Sequence, residues 1–169
     1  MSGKIKRKFF SSPIGDLSLL AGDDGILGVY FEGQKYFERG YETEQIIEEG
    51  NIFLDEIEIW LEDYFAGKNP ELSRLTLVPE GTAFQKKVWA ILAQIPYGQT
   101  MTYGEIAKQI NCSSVQAVGC AVGKNPLSII VPCHRVLGSQ GQLTGYAGGI
   151  ERKRWLLEHE NAIFRKEEE

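Results

Sequence analysis

The sequence predicts an α+β protein with an N-terminal antiparallel sheet and one helix, followed by a mainly helical C-terminal part. Near the start, three short β-prone runs are separated by turn residues, which is typical of antiparallel strands. In the second half, two short helices each have their own capping residue. Pro70, Pro79 and Gly81 mark the stretch 68–81 as a linker, so we expect one domain over residues 1–79 and another over residues 80–169.

The predicted strands are short apolar or β-prone runs bounded by glycine, proline and aspartate. They cover Lys6–Ser11, Leu17–Ala21 and Ile26–Glu32. A helix is predicted from Ile46 to Ala66, because Ile57, Leu61 and Tyr64 recur at helical spacing. Gly67 then supplies a stop signal.

The C-terminal part is predicted to contain a helix-turn-helix. Its first helix covers Tyr103–Ile110 and starts at a capping box, in which the Thr102 hydroxyl and the Glu105 carboxylate each bind an exposed backbone N–H. After a tight polar turn, Ser114 caps a second helix over Val115–Lys124. Such a pair is typical of DNA-binding proteins, although many similar pairs serve only as packing units.

The second helix of this pair is rich in small residues. Glycine in a helix interior costs about 1 kcal/mol relative to alanine, so two glycines in one helix need a reason. Close approach of a nucleic-acid groove is one reason, and tight packing against another helix is the other. The small residues are Ala117, Gly119, Ala121 and Gly123.

The net charge of −5 is unevenly distributed along the chain. Residues 1–79 carry 8 basic and 15 acidic side chains, whereas residues 80–165 carry 9 basic and 5 acidic ones. The basic surplus of the second half favours approach to phosphates, but a surplus of this size is also common in domains that bind no nucleic acid.

The three cysteines form no CxxC pair and lack closely spaced histidine partners, so neither a disulfide framework nor a zinc site is expected. No apolar run approaches the roughly 20 residues that cross a bilayer, and the N-terminus lacks the apolar region of a signal peptide. We therefore expect a protein of the cytoplasm, or of the nucleus in a eukaryote, with no metal and no membrane contact.

The segment around Cys133 is the candidate reactive site. Ile129–Val131 is predicted to be a short buried strand that ends at a proline just before the thiol. A thiolate is the reactive form of cysteine, and a base such as His134 favours it. Neighbouring residues of a strand point to opposite faces, so a turn or a bridging water must connect the two side chains. Glu160 is a candidate to orient His134, and Arg135 can hold local structure or carboxylates. By itself, a Cys-His dipeptide is structural more often than catalytic.

The segment Ile130-Val131-Pro132-Cys133-His134-Arg135-Val136 resembles the active-site signature of the O6-alkylguanine-DNA alkyltransferases, also called methylated-DNA–protein-cysteine methyltransferases. Agreement extends in ordered blocks from Phe84 to Glu160, whereas the first 79 residues agree only in their sheet-and-helix style. The further blocks are Pro96-Tyr97-Gly98-Gln99-Thr100, Thr102-Tyr103-Gly104-Glu105-Ile106-Ala107, Ala117-Val118-Gly119, Asn125-Pro126, Gly145-Tyr146-Ala147-Gly148-Gly149 and Trp155-Leu156-Leu157-Glu158-His159-Glu160.

The resemblance implies a ribonuclease H-like N-terminal domain and a winged helix-turn-helix-like C-terminal domain. It implies direct-reversal DNA repair, in which an alkyl group moves from O6 of guanine, or O4 of thymine, to Cys133. Each molecule would react once and need no cofactor. The partner would be double-stranded DNA that carries O6-alkylguanine, bound through its minor groove by a monomer that associates with the nucleoid while bound.

The resemblance also implies a role for each matching residue. Cys133 would be the alkyl acceptor, His134 its base acting through water, and Glu160 the group that orients His134. Asn125 would brace the turn before the reactive segment, and Tyr103 would donate towards guanine N3.

Other matching residues would contact the base or the DNA. The carbonyls of Cys133 and Val136 would bind the guanine amine, while Ala147 would offer its N–H near O6. Tyr146 and Gly148 belong to the same glycine-rich loop, where glycine lets the main chain approach a flat base. Gln116, Ala117, Gly119 and Arg135 complete the expected DNA-contacting set.

One departure from the family pattern concerns the step that rotates the damaged nucleotide out of the duplex. The family usually carries arginine immediately before the Ala-Val-Gly of this helix, where it fills the gap left by the nucleotide. Here the residue is Gln116, which is shorter and uncharged and lacks the forked donor geometry of arginine. We expect the departure to bear on the efficiency or substrate range of extrusion and to leave the transfer chemistry intact.

Three other functions fit parts of the pattern. A non-catalytic reader of alkylated DNA would bind the lesion without reacting, but proteins of that type lack the acceptor cysteine. A DNA-binding regulator would respond to alkylation of its cysteine with altered promoter binding. A Cys-His hydrolase would turn over many substrate molecules per protein.

Overall fold

The computed structural model describes residues 4–42 and 45–165. The chain forms two compact units, Met1–Glu80 and Gly81–Glu169. The first contains the main sheet and one α-helix, and the second is mainly helical. The predicted α+β class, with an N-terminal sheet and a helical C-terminal part, is confirmed.

In the described part of the N-terminal unit, four strands form one sheet in the order β3-β2-β1-β4. The first three strands pair antiparallel, as the sequence predicts, and β4 pairs parallel with β1. One face of the sheet buries Leu17, Leu19 and Phe31 completely. The strands are β1 (Ile5–Ser12), β2 (Gly15–Ala21), β3 (Ile26–Phe31) and β4 (Ile46–Ile47).

The helix of this unit, α1 (Ile52–Phe65), begins later than predicted. The predicted start at Ile46 is wrong, because Ile46 and Ile47 form β4 at the sheet edge. Isoleucine favours strands, so these two residues extend the sheet instead of the helix. The side chain of Asn51 then accepts a hydrogen bond from Leu54 N at 2.9 Å and sets the helix start.

The C-terminal unit contains α2 (Ala83–Ala93), α3 (Tyr103–Gln109), α4 (Val115–Gly123) and α5 (Ile150–His159). Capping boxes start α2 and α3, and the Ser114 hydroxyl accepts a hydrogen bond from Ala117 N at the start of α4. The indole of Trp89 donates to Ala121 O at 2.8 Å and ties α2 to α4. The predicted helix-turn-helix is therefore α3 and α4. In the described parts of the chain, no helix combines the length and the apolar content that spanning a membrane requires.

The predicted strand at Ile129–Val131 is wrong. Ile129 has a φ of 73°, which interrupts any strand, and Val131 N bonds back to Leu127 O at 2.9 Å in a turn. After this turn comes a single 3-10 turn (Cys133–Arg135), and then β6 (Val136–Leu137) pairs parallel with β5 (Met101–Thr102). Regular pairing therefore begins after the cysteine.

Candidate active site

Cys133 is the first residue of the 3-10 turn and is 4% exposed. A 3-10 helix has 3.0 residues per turn, so successive side chains are about 120° apart. This geometry lets the next two side chains, His134 and Arg135, reach the same carboxylate of Glu160. The chain does turn at this point, and the connection between the Cys133 thiol and the His134 imidazole stays a prediction.

Asn125 holds the buried segment that leads to the cysteine. Its Nδ2 donates to Val131 O at 2.7 Å and to Leu127 O at 3.4 Å, and its Oδ1 accepts from Leu127 N at 3.0 Å. One side chain thus satisfies three backbone groups that a sheet would otherwise pair. The amide also hydrogen-bonds the Cys133 sulfur. Asn125 therefore hydrogen-bonds across the turn that leads from α4 to Cys133.

His134 is fully buried, and its Nε2 lies 2.7 Å from Glu160 Oε2. Because an ionised carboxylate only accepts hydrogen bonds, we assign the imidazole proton to Nε2. The Nδ1 lone pair has no hydrogen-bond partner among the described residues. Burial lowers the pKa of His134, and the hydrogen bond to Glu160 only partly opposes this shift. The imidazole is therefore a neutral base with a free lone pair on Nδ1.

Glu160 caps the C-terminus of α5 and is also almost fully buried. Arg135 binds it through Nε to Oε1 at 2.8 Å and through Nη2 to Oε2 at 3.1 Å. The backbone N–H of Gly98 donates to Oε1 at 3.2 Å. Burial raises the pKa of Glu160, but the hydrogen bond from His134 and the hydrogen bonds and charge of Arg135 outweigh burial and hold that pKa far below its usual range. The carboxylate therefore stays ionised.

Arg135 does not extend away from the protein as a DNA contact would. Its third donor, Nη1, bonds to Ile95 O at 2.6 Å, and its guanidinium lies over the Tyr97 ring at 5.8 Å from the ring centroid. The residue is 8% exposed. The DNA-contacting position that the resemblance suggests for Arg135 does not match this geometry, because the side chain holds a carboxylate inside the unit.

Lys153 is a site residue that the sequence analysis missed. It is fully buried on α5, and its Nζ donates to Thr144 O at 3.1 Å and to Gly145 O at 3.5 Å. Burial lowers its pKa to about 8, while the nearby Cys133 opposes that shift. The spacing of Lys153 with Leu156, Leu157 and Glu160 follows the buried stripe of a helix, and this periodicity is the signal that could have revealed it.

Opposing effects act on the pKa of the Cys133 thiol. Burial raises its pKa, whereas the hydrogen bond from Asn125 and the charge of Lys153 lower it. Burial prevails, so the resting sulfur is a thiol. A neutral base on the following residue and the charge of the buried Lys153 form an arrangement that can generate a thiolate during a reaction.

Tyr103 and the glycine-rich loop lie next to Lys153. The Tyr103 hydroxyl accepts from Thr144 Oγ1 at 3.2 Å and donates to Gly145 O at 3.5 Å. Lys153 Nζ is 5.9 Å from the centre of the Tyr103 ring. Tyr103 is half-buried at the start of α3, and burial raises its pKa, so the hydroxyl remains a proton donor.

The other predicted base-contacting residues lie in the same unit. Val136 is fully buried in β6, Ala147 is half-buried and Gly148 is buried. Burial raises the pKa of Tyr146 well above its usual value, and its side chain shares a hydrogen bond with Ser128. Ser128 is buried and was not singled out from the sequence. The base-binding roles of these residues remain predictions.

The helix α4 has an exposed surface with unfilled space. Gln116 is exposed, and Ala117 and Gly119 are half-buried. A Cβ added at Gly119 would meet only the Tyr103 ring, at 3.9 Å, and one added at Gly123 would meet nothing within 4 Å in the described residues. Tight packing inside the protein therefore does not require these glycines.

The other two cysteines lie apart from this chemistry. Cys112 and Cys120 are both free cysteines. Cys112 is half-buried, and Cys120 is exposed on α4. Among the described residues, no group of three or more histidine, cysteine or acidic side chains could hold a metal ion.

The C-terminal unit combines a helix-turn-helix with a buried cysteine that is followed by a histidine–glutamate pair. Comparisons with known families identify the class of protein that has these features. Two family models match the chain: the ribonuclease-like domain of 6-O-methylguanine DNA methyltransferase over residues 5–79, and the DNA binding domain of the same proteins over residues 83–162. Together they cover most of both units. The chain belongs to the 6-O-methylguanine DNA methyltransferase family.

Relatives in sequence and structure agree with this assignment. The methylated-DNA–protein-cysteine methyltransferase of Methanosarcina acetivorans is 48% identical over 159 residues, which cover 90% of this chain and 96% of the relative. That of Haemophilus influenzae is 43% identical over 92% of this chain and 86% of the relative. The crystal structure of Mycobacterium tuberculosis O6-methylguanine methyltransferase matches with a TM-score of 0.80, at 41% identity over 93% of each chain. Mycobacterium tuberculosis OGT in complex with DNA matches with a TM-score of 0.81, at 42% identity over 92% of each chain.

Replacing Lys153 with methionine should raise the pKa of Cys133, because it removes the cation that stabilises the thiolate. At any pH below that pKa, raising the pKa by 1 lowers the thiolate fraction about tenfold. The measurement is the rate of iodoacetamide alkylation against pH, followed by intact mass in a Cys112→Ser, Cys120→Ser background. Lys153→Arg keeps the charge and is the matched control. Identical pH profiles for Lys153→Met and Lys153→Arg would contradict the role of this charge.

Proposed function

We propose that this protein repairs DNA by direct reversal, with Cys133 as the acceptor of an alkyl group from O6-alkylguanine. The observation that carries the proposal is the buried Cys133 thiol, which is hydrogen-bonded by Asn125, lies within the electrostatic influence of Lys153, and is followed in sequence by the His134–Glu160 pair. This arrangement lies in the unit that matches the family's DNA binding domain. The relatives named methylated-DNA–protein-cysteine methyltransferase support the same reaction.

In the proposed reaction, His134 accepts the Cys133 proton on Nδ1, directly or through one water molecule. The ionised Glu160 stabilises the imidazolium, and Lys153 stabilises the thiolate. The sulfur attacks the alkyl carbon, so the S–C bond forms while the C–O6 bond breaks. The electron pair of the broken bond goes to guanine, and the Tyr103 hydroxyl donates towards N3 as this charge develops.

One molecule would transfer one alkyl group. The thioether product has no leaving group that these residues could expel, so the proposed reaction ends with Cys133 blocked. The guanine base remains in the DNA and needs no resynthesis. A pure reader requires no nucleophile, so it does not account for the buried thiol and its base. A Cys-His hydrolase would use the same pair but would release the group to water and turn over many times, whereas the proposed transfer stops after one group.

Double-stranded DNA that carries the alkylated base is the proposed partner of the C-terminal unit. The target atom lies inside the base stack, so the nucleotide must rotate out at a cost of a few kcal/mol. The unfilled surface at Gly119 and Gly123 on α4 would let this helix enter the minor groove. A relative of similar fold is known in complex with DNA, which supports this partner. We propose that the protein acts as a monomer.

Cys133→Ala should abolish alkyl transfer and leave the fold unchanged, because alanine removes the acceptor sulfur from a buried position. The test mixes the protein with an oligonucleotide that contains O6-methylguanine and records intact mass. The parent protein should gain one methyl group, mapped to Cys133 by peptide sequencing. Cys112→Ser and Cys120→Ser are matched controls and should gain the same methyl. Methylation of Cys133→Ala at another cysteine would reject the proposed acceptor.

Gly119→Ala should stabilise α4 by about 1 kcal/mol, since alanine is the better helix former and its methyl would meet Tyr103 at an ordinary contact distance. The same methyl should slow repair of duplex DNA several-fold, because it occupies the surface proposed to enter the groove. Urea unfolding and single-turnover repair measure the two effects. Gly50→Ala, at an open position of the N-terminal unit, is the control. Unchanged duplex repair in Gly119→Ala would contradict the groove assignment of α4.

Gln116→Arg should speed repair of duplex DNA more than reaction with free O6-benzylguanine. Gln116 is exposed on α4, and arginine can fill the gap of the extruded nucleotide and bind a base or phosphate with two donors. Single-turnover rates on both substrates measure the effect, and Gln116→Ala shows the contribution of the present side chain. Equal acceleration on both substrates would show that residue 116 does not assist extrusion.

A further inference from the structure

The buried carboxylate of Glu160 serves two partners on the 3-10 turn. His134 Nε2 lies 2.7 Å from Oε2, and Arg135 binds both oxygens through Nε at 2.8 Å and Nη2 at 3.1 Å. A pair that only oriented the imidazole would need the carboxylate and no arginine. The second, fully charged partner therefore needs an explanation of its own.

We propose that Arg135 is a positioning residue that balances the charge of Glu160 and thereby keeps His134 neutral and able to accept a proton. The inference rests on the proposed function, in which His134 is the base for Cys133. Arg135 reaches no part of the substrate in this scheme and acts only through Glu160.

The charges that face His134 determine its protonation state. Glu160 and Lys153 face it from α5, and Arg135 and Cys133 belong to its own turn. With Arg135 present, one cation and one anion already balance, and a proton on His134 would add an uncompensated charge beside the buried Lys153. Without Arg135, the buried Glu160 anion would lose the cation that binds both of its oxygens, while His134 would remain 2.7 Å from Oε2. Buried charges require compensation, so that anion would favour an imidazolium.

The geometry also explains why this residue is arginine. Its fork binds one carboxylate with two parallel donors, and its third donor bonds to Ile95 O at 2.6 Å. The Gly98 N–H adds a bond to Oε1 at 3.2 Å, and the Tyr97 ring covers the guanidinium. Arg135 therefore holds Glu160 in one orientation while it compensates its charge. Lysine would keep the charge and lose the fork.

Loss of Arg135 should therefore change the pH dependence of the reaction in a stated direction. The pKa of His134 should rise, because an uncompensated Glu160 stabilises the imidazolium. A base with a raised pKa is free only above that higher pH, so the acid limb of the transfer rate should move upward. Where the rate falls with decreasing pH, raising the pKa of His134 by 1 lowers the rate about tenfold.

The test measures the protonation and tautomer of His134 by 15N NMR of the imidazole ring between about pH 5 and pH 8, the range in which histidine normally titrates. The chain has 2 histidines, and a His159→Gln variant assigns the remaining signals to His134. In the parent protein, His134 should stay neutral with its proton on Nε2 over this range. In Arg135→Gln, it should titrate with a midpoint at least one pH unit higher than in Arg135→Lys, which retains the charge.

The outcomes separate this inference from the proposed function. An imidazolium in the parent protein at neutral pH would overturn the inference, and this measurement needs no variant to fold. A His134 that stays neutral over the same pH range in folded Arg135→Gln would overturn the inference as well. Single-turnover methyl transfer in the same samples provides the second readout. If His134 responds as expected while the parent protein transfers no methyl group, the proposed function fails and the role of Arg135 stands.

Discussion

The C-terminal unit depends on one buried carboxylate. Glu160 joins the turn at residues 95–98, the 3-10 turn that carries Cys133, and the end of α5, through its bonds to Gly98, His134 and Arg135. Removing one partner from a buried ion pair typically costs about 3–5 kcal/mol. The interactions that stabilise this part of the fold are therefore the same ones that orient the base. Any change that loosens Glu160 should affect stability and chemistry together.

The reactivity of the thiol comes from opposing effects of burial. Burial raises the pKa of Cys133 and lowers the pKa values of His134 and Lys153. The cysteine therefore keeps its proton at rest, and the imidazole keeps a free lone pair. Such a site protects its nucleophile from water and small electrophiles and still holds the base and the cation that the transfer step requires. An exposed thiolate would be more reactive and much less selective.

Local signals in the sequence predicted most of the fold and the centre of the site. The capping residues Thr102 and Ser114 determine their own helix starts, so α3 and α4 were predictable. The Ile129–Val131 segment was misread because three apolar β-branched residues favour a strand, whereas Asn125 binds the backbone on both sides of Ile129 and replaces sheet pairing. Lys153 was missed because a buried lysine is rare, and only the contacts of α5 with the loop at residues 144–145 show its position.

The left-handed backbone of Ile129 ties the formation of the reactive site to folding. A β-branched residue in this conformation costs about 1–2 kcal/mol, so the unfolded chain avoids it. The bonds of Asn125 and the surrounding core compensate this strain only in the assembled unit. On the ribosome, and in any partly unfolded form, the sulfur therefore lacks both its shaped surroundings and its proton acceptor. The turn built by Asn125 and the buried His134–Glu160 pair therefore form together, so the surroundings that the proposed transfer step requires exist only when this unit has folded.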